Sequence, residues 1–210
     1  MTNAIIELIR RADSALVEAD LLEGLKPADL VILEREWAAE RSLVMQALLQ
    51  REMPRADWPQ SLHWDWSRKA AELKLLESTG FGIVCQKKWQ GAMLTKTASH
   101  AARLGEHKGK PIVYIDFLEI APWNWRIPEI DRDGEYRGVG SVLFWRAVKQ
   151  SEEEGFHGRV GLHALPQAEQ FYEKGCGMMP IERDAKKQNL LYFELSAEQA
   201  ARHLNKGGRS

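Results

Sequence analysis

Two glycines stand directly before an apolar helical pattern in DGEYRGVGSVLFWRAV, residues 133–148. Gly138 and Gly140 are one residue apart, and Arg137 precedes them. Glycine destabilises a helix, so its use here indicates a turn or a close approach to the backbone. The first turn of a helix also offers unpaired N–H groups and partial positive charge, which suit a phosphate. The stretch predicts a phosphate-binding turn or an ordinary tight turn, and by itself it favours the tight turn.

The residues after the glycines exclude two common nucleotide-binding motifs. Ser141, Val142 and Leu143 follow Gly140, so the third glycine of the dinucleotide-binding pattern is missing. The lysine of the P-loop is missing as well. A phosphate-binding interpretation therefore needs support from other parts of the chain.

The composition is that of a globular protein. Its 210 residues are 44% hydrophobic and 28% charged, with a formal net charge of −1, which gives little support to nucleic-acid binding. No apolar run reaches the roughly 18 residues of a membrane span, and the charged N-terminal stretch does not resemble a signal peptide. Cys85 and Cys176 are isolated thiols, which favours a reducing cytoplasm, and six scattered histidines predict no metal site.

The N-terminal part of the chain predicts a helical extension over residues 1–56. Apolar residues recur at three- and four-residue steps over residues 5–22, and this spacing predicts one helix. Residues 28–52 predict a second helix, with Trp37 on its apolar side. Residues 59–76 predict a third.

The remainder of the chain predicts strands mixed with helices. FGIVCQ and GAMLTKT predict an antiparallel hairpin, and PIVYIDFLEIAP is the strongest strand pattern. A helix from Gly140 to Gly155 follows, and then a β-α-β-β order. The prediction is an α/β (α+β) fold with a mixed, mostly antiparallel sheet flanked by helices, parallel where a helical crossover joins two strands. The main domain is expected over residues 57–198 and a flexible tail over 199–210.

Two motifs in this order resemble the acetyl-CoA signature of the GCN5-related N-acetyltransferases (GNAT). LEIAP followed by YRGVGSVLFWRAV is similar to the family's strand, which ends near Val-x-Pro, and its R/Q-x-x-G-x-G/A loop. GRVGLHALPQAEQFYEKGCGMMP is similar to the second motif, with matches at Ala168, Phe171, Tyr172 and Gly177. The pair covers about residues 111–180. Two positions depart from the pattern, since Glu135 stands at the Arg/Gln position and LPQ replaces an Asn before the second helix.

The resemblance implies a GNAT-like fold and acetyl-CoA as cosubstrate, without a metal. It implies direct transfer of an acetyl group to a primary amine of a small molecule or of a protein or peptide. The alternative is a non-catalytic acyl-CoA-binding module that kept the fold. The implied cofactor-binding residues lie at the end of the long strand and in the glycine loop: Leu118, Glu119, Ile120, Arg137, Gly138, Val139, Gly140 and Ser141.

The family resemblance implies one candidate general acid and three candidate general bases in this chain. Tyr172 matches the family's tyrosine and is the candidate general acid, with aromatic packing as the alternative. Glu119, Asp116 and His163 are, in that order, the candidate general bases, and each is alternatively a structural residue. Cys176 is not expected to act as a nucleophile.

Tryptophans mark the expected acceptor side. Trp64, Trp66 and Trp123 are candidates to line a cleft for a cationic or flat amine. The alternative is that they pack the helical extension onto the sheet. The N-terminal helices themselves are candidates for a homodimer surface, for a lid over the cleft, or for a core extension.

Overall fold

A computed structural model describes residues 2–207 of the chain, and the side chains of residues 3–202. Two compact units are present. The first comprises the chain up to Leu94 together with Leu118–Leu143, and the second comprises Thr95–Phe117 and the chain from Phe144 onward. Within the described range, no helix combines the length and the apolar character that crossing a membrane requires.

Nine strands and four helices run through the described residues. The strands are β1 (Thr2–Arg10), β2 (Leu16–Glu23), β3 (Ser78–Cys85), β4 (Lys88–Lys96), β5 (Val113–Ile120), β6 (Tyr136–Arg137), β7 (Val160–Ala164), β8 (Met179–Asp184) and β9 (Leu190–Leu195). The helices are α1 (Pro27–Gln50), α2 (Trp66–Lys69), α3 (Val139–Glu153) and α4 (Ala197–Gly207). Strand order is β6-β1-β2-β3-β4 in the first unit and β5-β7-β9-β8 in the second.

The helix predicted over residues 5–22 is wrong, because this segment is the antiparallel hairpin β1–β2. From Val17 to Leu21 apolar and acidic residues alternate, and this period of two matches a strand with one buried face. Ala19 and Leu21 are buried, whereas Leu16 is 62% exposed. Isoleucine and leucine residues stand on both the buried and the exposed face of this hairpin. Their positions in the sequence therefore happened to match the three- and four-residue spacing of a helix.

The helix predicted over residues 28–52 is confirmed as α1. The one predicted over residues 59–76 is wrong, since only the four residues of α2 and a short helical turn at Glu72–Lys74 are helical there. Asp65 begins α2 by accepting hydrogen bonds from the backbone N–H groups of Ser67 and Arg68, which fixes a helix start far inside the predicted one. The predicted helical extension therefore contains two strands and a single long helix.

The predicted sheet is confirmed. The hairpin is β3–β4, which turns at Gln86 and Lys87, and both of these residues adopt left-handed backbone angles. In the second unit β5 and β7 are parallel, with Val113 beside Val160, whereas β9 is antiparallel to both β7 and β8. The fold class is the predicted mixed α/β arrangement with a mostly antiparallel sheet.

The C-terminal part of the second unit differs from its prediction. α4 covers Ala197–Gly207, where a flexible tail was expected, and residues 208–210 lie outside the described range. The helix expected over PQAEQFYEK is confirmed as one continuous helical segment over residues 166–175, which begins with a 3-10 turn at Pro166–Ala168 and ends with a π-helical turn at Phe171–Gly175. Proline at the start of this segment and glycine at its end limit the number of helical turns that it can form.

One side of α1 forms part of the core of the first unit. The buried residues on this side follow helical spacing: Leu30, Leu33, Trp37, Arg41, Val44 and Leu48. The Trp37 indole also donates a hydrogen bond to the backbone oxygen of Trp89 in β4 at 3.0 Å, which fixes the helix on the sheet. Apolar side chains also stand on the exposed side, including Leu43 and Leu49. The homodimer surface expected in this region stays a prediction.

We expect Leu33→Ala to lower the free energy of unfolding by about 2–5 kcal/mol, because the side chain is fully buried and its removal leaves a cavity. Its neighbour Ile32 is 49% exposed, so Ile32→Ala should change stability by no more than about 0.5 kcal/mol. Urea denaturation of the two variants checks this. Equal losses would contradict the buried position of Leu33.

Candidate active site

The glycine turn lies between β6 and α3 in the first unit. Gly138 has a φ of +92°, and a Cβ built there would meet nothing within 4 Å. Backbone conformation, and not lack of space, therefore explains the glycine. Its carbonyl accepts a hydrogen bond from the Val142 N–H at 2.9 Å, so the first helical turn begins directly after it. The N–H groups of Val139, Gly140 and Ser141 belong to this first turn, where an anion can bind.

Two arginines give the region around this turn a positive charge. Burial, and then the charge of Arg137, lower the pKa of the Arg11 guanidinium below its ordinary value. The Nε atom of Arg11 is buried and has no hydrogen-bond partner among the residues described. An unpaired buried donor beside a second guanidinium suits an anionic ligand. Sequence reasoning missed Arg11, because it lies at the end of a strand that was predicted as helix.

Glu135, which departs from the family pattern, lies just before the turn. Its backbone is fixed on both sides, since its N–H donates to the Trp123 carbonyl at 3.0 Å and its carbonyl accepts from the Arg11 N–H at 2.8 Å. The exposed side chain lines a cleft beside α1, and none of the residues Arg137–Ser141 lines that cleft. These hydrogen bonds hold the Glu135 backbone beside β1 and beside the segment after β5.

A buried carboxylate stands at the end of β5. The Glu119 side chain is 2% exposed, and its Oε2 accepts hydrogen bonds from the Trp66 indole at 2.6 Å and from Arg41 at 3.3 Å. Its Oε1 is buried and has no hydrogen-bond partner among the described residues. Burial raises the pKa of Glu119 to about 7, although the Arg41 charge and the hydrogen bonds from Trp66, Ser61 and Arg41 act in the opposite direction. A carboxyl with this pKa can take up or release a proton near neutral pH.

Helix α1 supplies the residues that hold Glu119 in place. Arg41 bridges two carboxylates, since it also donates to Glu34 at 2.6 Å. The other oxygen of Glu34 accepts the backbone N–H of Trp66 at 2.8 Å, so α1 and α2 are joined by this one side chain. The Trp37 and Trp66 rings meet edge to face, with centroids 6.0 Å apart. We call Glu119, Arg41, Glu34 and Trp66 the buried carboxylate network.

Sequence reasoning found two of the four members of this network. Glu119 and Trp66 were predicted as site residues, but no direct contact between them was foreseen. Arg41 and Glu34 were missed, although the sequence carried a signal for one of them. Arg41 stands within the apolar stripe of α1, between Trp37 and Val44, and a charged residue at such a position indicates a buried partner of opposite charge.

The other predicted tryptophans lie elsewhere in the first unit. The Trp123 indole donates to the side-chain oxygen of Gln90 at 2.8 Å, and its ring borders the same cleft as Glu135. Trp64 is half-buried, with the Lys69 ammonium 4.6 Å from its ring centroid. The three tryptophans therefore do not line one common cleft.

The second unit contains the remaining predicted residues. Tyr172 packs among the rings of Phe144, Phe171 and Phe193, and burial raises the pKa of its hydroxyl. This group is therefore protonated at neutral pH, as a general acid must be. Burial also raises the pKa of Cys176 to about 12, which agrees with its exclusion as a nucleophile.

The two alternative bases also lie in this unit, each with its own partner. Asp116 forms an ion pair with Lys96 at 2.9 Å, and both side chains are mostly buried. The Nδ1 atom of His163 is 2.7 Å from the hydroxyl of Tyr114, a ring that stacks on His100. Burial, followed by the charge of Arg103, lowers the pKa of His163, so this imidazole is neutral at pH 7.

Known proteins match this chain by structure and not by sequence. No family model and no curated protein matches the sequence. A crystal structure from Desulfovibrio desulfuricans, of a protein assigned to the GNAT family of acetyltransferases, matches with a TM-score of 0.54 at 11% identity, over 85% of this chain and 99% of that one. The chain has a GNAT-like fold.

Two further solved structures also match. The PaiA N-acetyltransferase of Thermoplasma acidophilum, in complex with coenzyme A, gives a TM-score of 0.49 at 15% identity, over 83% of this chain and 97% of its own. An acetyltransferase of Thermus thermophilus gives a TM-score of 0.47 at 17% identity, over 84% of this chain and 96% of its own. The predicted GNAT-like fold is confirmed, and identities this low establish the fold alone.

Within this GNAT-like fold, Glu119→Gln should change how stability depends on pH. The raised pKa means that Glu119 keeps its proton in the folded protein at pH values where the unfolded chain releases it. Its stabilising contribution is therefore complete below its ordinary value of 4.5 and is lost as the pH rises through about 7. We expect the difference in unfolding free energy between wild type and variant to fall by roughly 3 kcal/mol across this window.

Urea denaturation at pH values on both sides of the window measures this difference. Glu129→Gln is the matched control, because Glu129 is exposed, and its difference from wild type should stay constant with pH. A constant difference for Glu119→Gln as well would show that the pKa of Glu119 is not raised.

Proposed function

We propose that this protein is an acetyl-CoA-dependent N-acetyltransferase that transfers an acetyl group directly to a primary amine of a small molecule or of a protein or peptide. The glycine turn supports this function most strongly. It combines the left-handed Gly138, the first turn of α3 and the two arginines Arg11 and Arg137 at one place in a GNAT-like fold.

The residues around the turn fit a pyrophosphate. The space beside Gly138 is open, the N–H groups of Val139 to Ser141 begin a helix, and the buried Arg11 Nε has no partner within the described chain. These groups would bind the two phosphates by charge-assisted hydrogen bonds. The backbone of Leu118, Glu119 and Ile120 at the end of β5 would hold the pantetheine arm, as the family resemblance implies.

Bound acetyl-CoA supplies a thioester, whose carbonyl carbon is attacked by the acceptor nitrogen so that an amide forms and the carbon–sulfur bond breaks. An alkylammonium group has a pKa of roughly 10 and must lose a proton before its nitrogen can attack. Glu119 is our candidate for the base. Arg41 and Trp66 hydrogen-bond to its Oε2, and the Ser61 side chain also hydrogen-bonds to this carboxyl, so its position is fixed from three sides.

Tyr172 is our candidate for the general acid. The thiolate that leaves needs a proton, and the Tyr172 hydroxyl keeps its own at every physiological pH because burial raises its pKa. In becoming an amide the ammonium nitrogen loses two protons, one before the attack and one as the amide forms. Glu119 takes up one of them and solvent takes the other, Tyr172 gives one proton to the thiolate, and solvent then restores both groups, so that one turnover releases one proton. Each role is independent of Cys176, whose thiol stays protonated.

Thiol release from acetyl-CoA in the presence of a panel of primary amines tests the reaction. We expect Tyr172→Phe and Glu119→Gln each to lower kcat roughly 10²–10⁴-fold, as for the loss of a general acid or base. Tyr192→Phe is the matched control, because it removes another buried tyrosine hydroxyl in the second unit and should leave kcat within a factor of a few. Binding of coenzyme A without turnover of any amine would favour the non-catalytic acyl-CoA-binding module instead.

The glycine turn can be tested separately from the chemistry. Gly138→Ala should weaken coenzyme A binding at least about tenfold, or roughly 1.4 kcal/mol, because a Cβ would occupy the open space beside the turn. Gly109 also has a positive φ, of +83°, and open space around it, but it lies in an exposed loop of the second unit. Both substitutions should cost about 1–2 kcal/mol of stability from backbone strain.

Calorimetric titration with coenzyme A separates the two variants. Only Gly138→Ala should change the dissociation constant, whereas Gly109→Ala should bind like wild type. If both variants keep the wild-type affinity, the pyrophosphate does not bind at this turn.

A further inference from the structure

Arg41 stands between two carboxylates of unequal burial. Its Nη1 donates a hydrogen bond to Glu34 Oε1 at 2.6 Å, and its Nη2 donates to Glu119 Oε2 at 3.3 Å. The Glu34 side chain is 14% exposed, whereas that of Glu119 is 2% exposed. The shorter contact therefore goes to the carboxylate that water still reaches, and the deeply buried one receives the longer contact.

The structure of α1 holds the guanidinium between these two groups. Glu34 and Arg41 are seven residues apart, so two helical turns bring both side chains to the same side of the helix. The Trp37 ring lies 5.8 Å from the guanidinium carbon of Arg41, and its indole is bonded to the Trp89 carbonyl. The guanidinium thus packs against a ring that is itself fixed on the sheet.

One positive charge serves both carboxylates. Among the described residues, Arg41 is the charged group that contacts the Glu119 carboxyl, and Glu34 is the second carboxylate on the same guanidinium. Trp66 on α2 and Ser61 in the turn before it contribute uncharged hydrogen bonds. Burial has the largest effect on the pKa of Glu119, and the charge of Arg41 offsets it only in part.

We infer that Glu34 reduces the charge that Arg41 presents to Glu119, and that this sharing makes Glu34 and Arg41 positioning residues for the base of the proposed reaction. The catalytic part of the inference rests on the proposed function. A guanidinium fully available to Glu119 would favour its carboxylate form and make it a weaker base. Without the guanidinium, Glu119 would keep its proton at neutral pH and could not accept another. Sharing holds the group between these two states.

The carboxyl ¹³C signal of Glu119 tests the inference on the protein alone. The signal is recorded by NMR in protein labelled with ¹³C-glutamate, and it is assigned by its absence in Glu119→Gln. Glu34→Gln should lower the pH midpoint of this signal by about one unit or more, because the second carboxylate no longer competes for the guanidinium. Arg41→Gln should raise the midpoint by a similar amount, because the compensating charge is lost.

Glu36→Gln is the matched control. Glu36 is another acid of α1 that accepts a tryptophan backbone N–H, that of Trp89 at 3.2 Å, and it is not a partner of Arg41 within the described chain. Its midpoint should equal that of wild type. Arg41→Lys keeps the charge and should move the midpoint less than Arg41→Gln does, which a loss of packing alone would not explain.

The direction of the shifts decides the inference. Midpoints that do not move, or that move in the same direction in Glu34→Gln and Arg41→Gln, would overturn it. If Arg41→Gln does not fold, Glu34→Gln against Glu36→Gln still decides, and an unchanged midpoint in Glu34→Gln would overturn the inference. The glutamine at position 34 keeps an oxygen for the backbone N–H of Trp66, so this variant retains the contact between α1 and α2.

Thiol-release assays separate this inference from the proposed function. The pH profile of kcat/KM reports the base of the free enzyme, so its acidic limb should move with the NMR midpoint in each variant, while KM for acetyl-CoA stays unchanged. Opposite NMR shifts without thiol release for any amine would overturn the function and keep the sharing of Arg41. Thiol release with a pH profile that neither variant moves would overturn the positioning role and keep the function.

Discussion

The first unit is arranged around the contacts that the buried Arg41 makes with Glu34 and Glu119. Arg41 lies between two carboxylates in the interior, and a buried charge that loses its partner destabilises a protein by about 3–5 kcal/mol. The chain therefore has to bring α1, α2 and β5 together in one arrangement, because Glu34, Trp66 and Glu119 come from these three elements. The same requirement keeps Glu119 out of water and so produces its raised pKa. Stability and the proposed chemistry thus have one physical origin.

Charges of both signs follow one another over a short length of chain. From Asp133 to Arg137 the backbone passes from a surface rich in carboxylates to a turn flanked by two guanidiniums. The hydrogen bond between the Arg11 N–H and the Glu135 carbonyl fixes β1 beside this segment. The guanidinium of Arg11 feels the charges of both Arg137 and Asp133, so the charges of the glycine turn and of the segment before it act on one another.

Sequence reasoning succeeded where a pattern is local and long. The parallel crossover, α1 and the glycine turn follow from periodicity and from turn-forming residues within a few positions. It failed for β1–β2, where acidic and apolar residues alternate over only five positions, and for α2, whose start depends on Asp65. The network was foreseen only in part, because Arg41 and Glu119 are far apart in the chain. Their contact depends on how a helix packs against a strand, and no local pattern encodes this packing.

The hydrogen bond from Trp66 to Glu119 also has a spectroscopic consequence. The indole lies at hydrogen-bonding distance from a carboxyl that changes its charge near neutral pH, and the ring itself is fully buried. The electric field at this one chromophore therefore changes with the protonation of the candidate base, while bulk solvent does not reach it. The fluorescence of Trp66 should therefore report the protonation of Glu119, the residue at which the proposed proton transfer begins.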